Sequence, residues 1–82
     1  MKNLIVVTGG AGFIGSNLIY LLLKKTKYKI CSIDNYSTGK KKNHILNKRV
    51  KYIKENTKNI SKILNPKKKK IKAIFHFGEF AR

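Results

Sequence analysis

Apolar residues recur along this chain with two different spacings. Leu4 to Val7 is a β-branched run bounded by polar residues and then by glycine, the pattern of a strand buried on both faces. Phe13 to Lys25 carries Leu and Ile at helical spacing, with no proline and only Gly15 inside it, and reads as a helix. A second strand is predicted over "YKICSID" at 28–34, ending on an acid, and the polar loop "NYSTGKKKN" with a short helix follows it. Val50 to Ile53 makes a third, weaker strand, and "KNISKIL" at 58–64 sets Ile60, Ile63 and Leu64 on one helical face. Pro66 is expected to stop that helix, the lysines at 67–70 to form an exposed turn, and "AIFHFG" at 73–78 to form a fourth strand.

The predicted order is thus β-α-β-(short α)-β-α-β. Such alternation implies an α/β protein whose parallel strands are joined by right-handed crossovers. With 82 residues the chain makes one small domain at most, and Arg82 comes only four residues after the fourth strand. A strand left at a sheet edge is a liability that complete proteins cover. The expectation is the N-terminal half of a Rossmann-type doubly wound parallel sheet (β-α-β-α-β-α-β), truncated, spanning residues 1–82.

The charge balance changes the picture less than its size suggests. Twenty Lys and Arg against three Asp and Glu give a formal net charge of +17, which points to polyanions when read alone. Nearly all of those cations are Lys, in a chain also rich in Asn and Ile, which is the mixture an AT-rich coding sequence produces. The Arg forks and interleaved aromatics of nucleic-acid readers are scarce, which argues against a nucleic-acid partner. Cys31 stands alone, excluding a disulfide framework and a paired-cysteine metal site, and is expected to face a core. "LIYLLL", the longest apolar stretch, is far short of the ~20 residues that span a bilayer. No secretory signal is present either, so the expected localisation is cytoplasmic.

"TGGAGFIGSNL" at 8–18 supplies the candidate chemistry. Its glycines read in two registers, Gly10-x-Gly12-x-x-Gly15 and Gly9-x-x-Gly12-x-x-Gly15, between a predicted strand and a predicted helix. The first glycines permit a tight turn with positive φ, Gly12 lets backbone approach a pyrophosphate, and Gly15 lets the helix pack close to the strand. The phosphates then rest on free N–H groups at the helix N-terminus. Asp34 ends the second strand about 20 residues on, where a carboxylate accepts hydrogen bonds from a ribose. Its charge repels a 2′-phosphate, which favours NAD over NADP, although Lys40 to Lys42 lie close enough to soften the preference.

"TGGAGFIGSNL", "DNYSTGKKKN" and "IFHFGEFAR", taken together, resemble the N-terminal part of the extended short-chain dehydrogenase/reductases, specifically the NAD-dependent sugar-nucleotide epimerases and dehydratases of the UDP-glucose 4-epimerase type. The resemblance implies that Thr8, Gly9, Gly12 and Gly15 hold the pyrophosphate, with Phe13 and Ile14 at the helix start. It implies that Asp34 holds the adenosine ribose, with Asn35, Ser37 and Thr38 lining the same end of the cofactor. Phe77 and Gly78 match positions that pass beside the nicotinamide ribose. Where the family has Gly-Asp-Ile or Gly-Asp-Leu after its third strand, this chain has Glu55-Asn56-Thr57. Asn56 can accept from the adenine amino group through its amide oxygen, though without the charge, and Thr57 stands beside it.

The family's acid/base pair is Tyr-x-x-x-Lys on a later helix, where the Lys charge lowers the Tyr pKa. Two matches occur here, Tyr20 to Lys24 and Tyr36 to Lys40, and in so lysine-rich a chain such matches arise by chance. Tyr20 lies on the first helix beyond the turn nearest the phosphates, and Tyr36 in the adenosine loop, so no catalytic residue is assigned. His44 reads as a solvated residue of the short helix, and His76 as a strand-end residue that packs or supports a neighbouring site residue. Neither has the neighbours of a metal site. "PKKKKIK" at 66–72 resembles a nuclear-import signal but falls where a solvated loop must enter the fourth strand.

The expected function is therefore the NAD-binding N-terminal portion of a sugar-nucleotide epimerase or dehydratase. A nucleotide-sugar substrate enters only in a complete enzyme, and complete family members are often homodimers. The competing readings are a basic nucleic-acid or polyanion-binding module on a half-Rossmann scaffold, and a truncated remnant with no function of its own.

Overall fold

The computed structural model describes residues 2–36 and 40–77. Strands β1 (Leu4–Thr8), β2 (Lys29–Asp34), β3 (Val50–Lys54) and β4 (Ile71–His76) form one parallel sheet in the order β3-β2-β1-β4. Helix α1 (Phe13–Lys25) covers one face and the short helix α2 (Ile60–Leu64) the other. This is the half of a doubly wound sheet that the alternation of elements predicts.

The two cores follow from the two-residue period of the central strands. Ile5, Val7 and Ile30 point to one face and pack against Ile19 of α1, with Leu18, Leu22 and Leu23 around them. Val6, Cys31 and Ile33 point to the other and meet Leu64 of α2, with Ile60 and Ile63 beside it. β1 and β2 are buried along nearly their whole length, with Ser32 and Asp34 among the buried positions, whereas β3 and β4 are more exposed, with Lys51, Lys54 and Lys72 facing outward. Cys31 is buried, as its position in an apolar run predicts. Among the described residues no helix is long and apolar enough to cross a membrane.

β2 starts at Lys29, β3 ends at Lys54 and α2 starts at Ile60, each within two residues of the sequence reading, and two further differences have a packing or backbone reason. β4 runs from Ile71 to His76, two residues earlier at each end than predicted. Pairing with β1 decides this, because Leu4 faces Ile71 and Thr8 faces His76, and Ile71 packs into the α2-side core. α2 does end at Leu64, just before Pro66, but the lysines expected to form a turn instead lie in a 3-10 helix, Asn65–Lys70, with the proline in its first turn. The first turn of a helix tolerates proline because its N–H has no partner to lose there.

Arg49 joins the far end of α1 to the turn before β3. Its Nη1 donates to the carbonyls of Thr26 at 2.8 Å and Tyr28 at 3.1 Å, and its Nη2 donates to the carbonyl of Leu23. A guanidinium on a helix C-terminus also opposes the negative end of the helix dipole. Arg49→Ala is expected to lower the unfolding free energy by about 2 kcal/mol, the scale of hydrogen bonds to a charged donor. Urea denaturation measures it, and Arg49→Lys should restore only part, since one ammonium cannot reproduce the planar fork. An alanine variant as stable as the parent would contradict this role.

Candidate functional site

At the C-terminal end of β1 the chain reverses through Gly9, whose φ of 74° lies in the left-handed region that favours glycine. The Gly9 N–H donates to the Ile33 carbonyl at 2.7 Å, and its own carbonyl accepts from Gly12 at 3.0 Å. Gly12 then caps α1 with extended backbone and no side-chain hydrogen bond, and the first turn carries no acidic residue. The N–H groups of that turn and the positive end of the helix dipole are thus available to an external anion.

The three glycines of this turn answer to different neighbours. A Cβ on Gly15 would overlap the Gly9 carbonyl oxygen, so helix and turn touch backbone to backbone there. A Cβ on Gly10 would run into the Ser32 hydroxyl on β2 and lie 2.9 Å from Ile19 Cδ1. Among the described residues, a Cβ on Gly12 would meet only the Gly9 carbonyl, at 3.3 Å. Gly10 and Gly15 thus sit in tight packing, while Gly12 is the least crowded of the three.

Asp34 holds this turn from β2. Buried at the strand end, it accepts from the Ala11 N–H at 3.0 Å through Oδ2 and from the Tyr36 N–H at 2.8 Å through Oδ1. The Ala11 carbonyl is held in turn by the Lys40 N–H at 3.0 Å and the Asn43 side-chain amide at 2.8 Å. A carboxylate offers about four lone-pair sites, so roughly two remain for further donors. Tyr36 adopts a left-handed φ of 63°, unusual for a side chain of its size, and its hydroxyl hydrogen-bonds to His44 Nε2.

Beside Asp34, a cavity of about 230 Å³ is lined by Asn35, Lys54, Glu55 and Asn56. Asn35 and Asn56, assigned from sequence to the adenosine end of a cofactor, are thereby brought together. Asn56 Oδ1 accepts from the Lys58 N–H at 3.1 Å, and Glu55 Oε1 accepts from Asn59 Nδ2 and the Asn56 N–H, each at 3.0 Å. Those two hydrogen bonds, the Asn59 one foremost, hold the Glu55 carboxyl below its ordinary range. Thr57 opens the following 3-10 turn.

The other sequence candidates fall as follows. Thr8 is buried, and its hydroxyl faces β4 at 3.3 Å from His76 Nδ1. It braces the strand end behind the turn. Phe13 and Ile14 are 81% and 62% exposed, two large apolar side chains standing free beside the helix end. Phe77 extends the β1–β4 ladder, its N–H donating to the Thr8 carbonyl at 2.9 Å. Ser37, Thr38 and Gly78 lie outside the described residues.

His44 overturns its sequence reading. It lies after the 3-10 turn Lys41–Asn43 rather than in it, stacks on Tyr52 with ring centroids 3.7 Å apart, and bonds Tyr36. Tyr52, on β3, accepts from the Ile45 N–H at 2.8 Å. Burial is the main cause that pushes both tyrosine hydroxyls above their ordinary range, with Asp34 adding to it at Tyr36. The sequence signal was slight: a histidine among lysines, eight residues before an aromatic strand position. Ser32 was also missed, and its buried hydroxyl, against Gly10, makes no hydrogen bond. Tyr20 and Lys24 pair with each other on the exposed side of α1, the ammonium 5.7 Å from the ring centroid.

A turn fixed from both sides and left open at a helix end is how a Rossmann-type dinucleotide-binding protein presents itself to a diphosphate. Residues 5–82 match the NAD dependent epimerase/dehydratase family, and the chain belongs to that family. A UDP-glucuronic acid decarboxylase of Arabidopsis thaliana is 54% identical over 39 residues, which is 48% of this chain and 11% of that protein. The solved UDP-N-acetylglucosamine 4-epimerase of Methanobrevibacter ruminantium superposes with a TM-score of 0.77 at 36% identity, over 100% of this chain and 26% of that one. The dTDP-glucose 4,6-dehydratase of Bacillus anthracis, solved in complex with NAD, gives 0.81 at 29% identity, over 94% of this chain and 27% of that one. The chain thus spans about a quarter of the length of these solved relatives.

Alanine substitutions should separate the glycines. Gly15→Ala forces backbone apart and is expected to destabilise by about 1–3 kcal/mol, the cost of overpacking. Gly12→Ala, at a φ of −83° that any residue adopts, should cost less than about 1 kcal/mol. Thermal or urea unfolding of both variants checks this, and the reverse ranking would contradict the assigned contacts.

Proposed function

We propose that this chain is the NAD-holding N-terminal portion of a nucleotide-sugar epimerase or dehydratase. The observation that carries the reading is the uncapped start of α1 above the Gly9 turn, with Gly12 open to the outside and Asp34 closing the adjacent strand. Anionic diphosphate fits there on three counts: no acid in the helix's first turn, N–H donors free of side-chain caps, and space that a Cβ would fill.

In this reading the backbone of Gly9 to Gly15 binds the diphosphate, and Thr8 keeps the turn seated on β4. Asp34 uses its remaining lone pairs for the adenosine ribose, and Asn35 and Asn56 receive the adenine in the cavity between β2 and β3. Ser37, Thr38 and Thr57 extend that end, while Phe13 and Ile14 shield the phosphates from water. Phe77 and Gly78 flank the nicotinamide ribose. NAD, when bound, supplies the hydride acceptor for transient oxidation of a sugar. Proton transfer belongs to residues of the complete enzyme, because the two Tyr-x-x-x-Lys matches lie elsewhere. A cytoplasmic location, a nucleotide-sugar substrate and a homodimer complete the proposal.

Calorimetric titration tests it. NAD is expected to bind at least about ten-fold more tightly than NADP, a difference of about 1.4 kcal/mol, because the Asp34 carboxylate repels a 2′-phosphate. Gly12→Val should abolish NAD binding and leave the circular dichroism spectrum unchanged. Equal affinity for the two nucleotides, or undiminished NAD binding by the valine variant, would count against the reading.

A further inference from the structure

The opposite end of the sheet carries a second concave surface. A cavity of about 410 Å³ opens where the four strands begin, within the size range of about 300–1,000 Å³ typical of small-ligand sites. Six cations line it: Lys29, Lys48, Arg49, Lys51, Lys67 and Lys70. No carboxylate is among the described lining residues. The two described acids lie at the other end of the strands, with Asp34 about 16 Å along β2 from Lys29. Each is occupied there, Asp34 by Ala11 and Tyr36, Glu55 by Asn56 and Asn59.

We propose that this cavity binds a compact polyphosphate, a short run of phosphates recognised by its charge. The rim is fixed by main-chain hydrogen bonds, Asn3 to Lys70 at 3.0 Å, Lys29 to Asn3 at 2.9 Å and Ile30 to Arg49 at 2.8 Å. Lysines from three separate segments therefore line one hollow, where their mutual repulsion falls when an anion enters. The Arg49 guanidinium is already committed to the carbonyls of Leu23, Thr26 and Tyr28, so it adds charge, and the five lysines supply the free donors. Cys31 belongs to the same lining, and although burial pushes its thiol up, Lys67 and Lys51 pull against that shift. Their field reaches the cavity.

Among the described residues the lining includes no aromatic one. Single-stranded nucleic-acid sites combine a cationic groove with aromatic platforms on which bases stack. This hollow offers charge without a platform, which favours phosphate alone over an oligonucleotide. It lies at the end of the sheet away from the glycine turn, so it stands independently of the NAD proposal.

Inorganic tripolyphosphate titrated into the protein by calorimetry tests the site, at two salt concentrations. One-to-one binding is expected, weakening as salt screens the lysines. The variant Lys51→Gln/Lys67→Gln/Lys70→Gln should bind at least about ten-fold more weakly, whereas Lys54→Gln/Lys58→Gln/Lys62→Gln, which removes equal charge elsewhere, should lose less than about two-fold. In the unaltered protein the ligand should shift backbone amides at 29–31, 48–51 and 67–70. Gly12→Val should leave the affinity unchanged. No binding, equal loss in the two triple variants, amide shifts elsewhere, dependence on Gly12, or tighter binding of an oligouridylate at the same salt would each overturn the proposal.

Discussion

The hydrogen bond from the Ala11 N–H to the Asp34 carboxylate is the contact on which the C-terminal end of this sheet depends. It ties a glycine turn, which has little side-chain packing of its own, to the end of a buried strand 23 residues away in sequence. Hydrogen bonds to ionised acceptors contribute about 1.5–3 kcal/mol each, a large fraction of what a small domain has in total. The same carboxylate orders Tyr36, and the Ala11 carbonyl collects Lys40 and Asn43. Turn, helix start and the loop after β2 are consequently one unit. A cofactor group placed on the helix end would find its donors already oriented, without an added ordering cost on binding.

Charge is distributed with a sense along the sheet. Described carboxylates and the open helix N-terminus gather where the strands end, and an acid-free ring of lysines gathers where they begin. The +17 of the whole chain is a poor guide to either end of the sheet, because it averages an acid-bearing turn region with a hollow lined by lysines. Position in the fold, more than the total, decides what each cation can do.

The glycine turn and Asp34 were legible in the sequence because the constraint there acts on the backbone. Gly15 touches the Gly9 carbonyl, no other residue type fits, and so residue identity alone reports the geometry. Helix α1 and the two central strands were legible for a related reason: burial on both faces leaves β1 the run Leu4–Val7 and β2 the run Ile30–Ile33, broken only by Ser32. The start of β4 was not, since the lysines before it hide that Ile71 pairs with Leu4 and packs against α2. The grouping of Tyr36, His44 and Tyr52 was equally hidden, because it depends on how a lysine-rich loop folds back onto β3. Arg49 looked like one more cation, and its three carbonyl partners lie more than twenty residues away.

Where NAD touches the protein is the most direct test of the central claim. A two-dimensional amide spectrum recorded during titration with NAD reads that location residue by residue. The account predicts shifts concentrated at Gly9 to Gly15 and at Asp34 and Asn35, with Asn56 following as the adenine enters its cavity. Shifts confined to the lysine-lined end of the sheet, or spread evenly over the surface lysines, would contradict it.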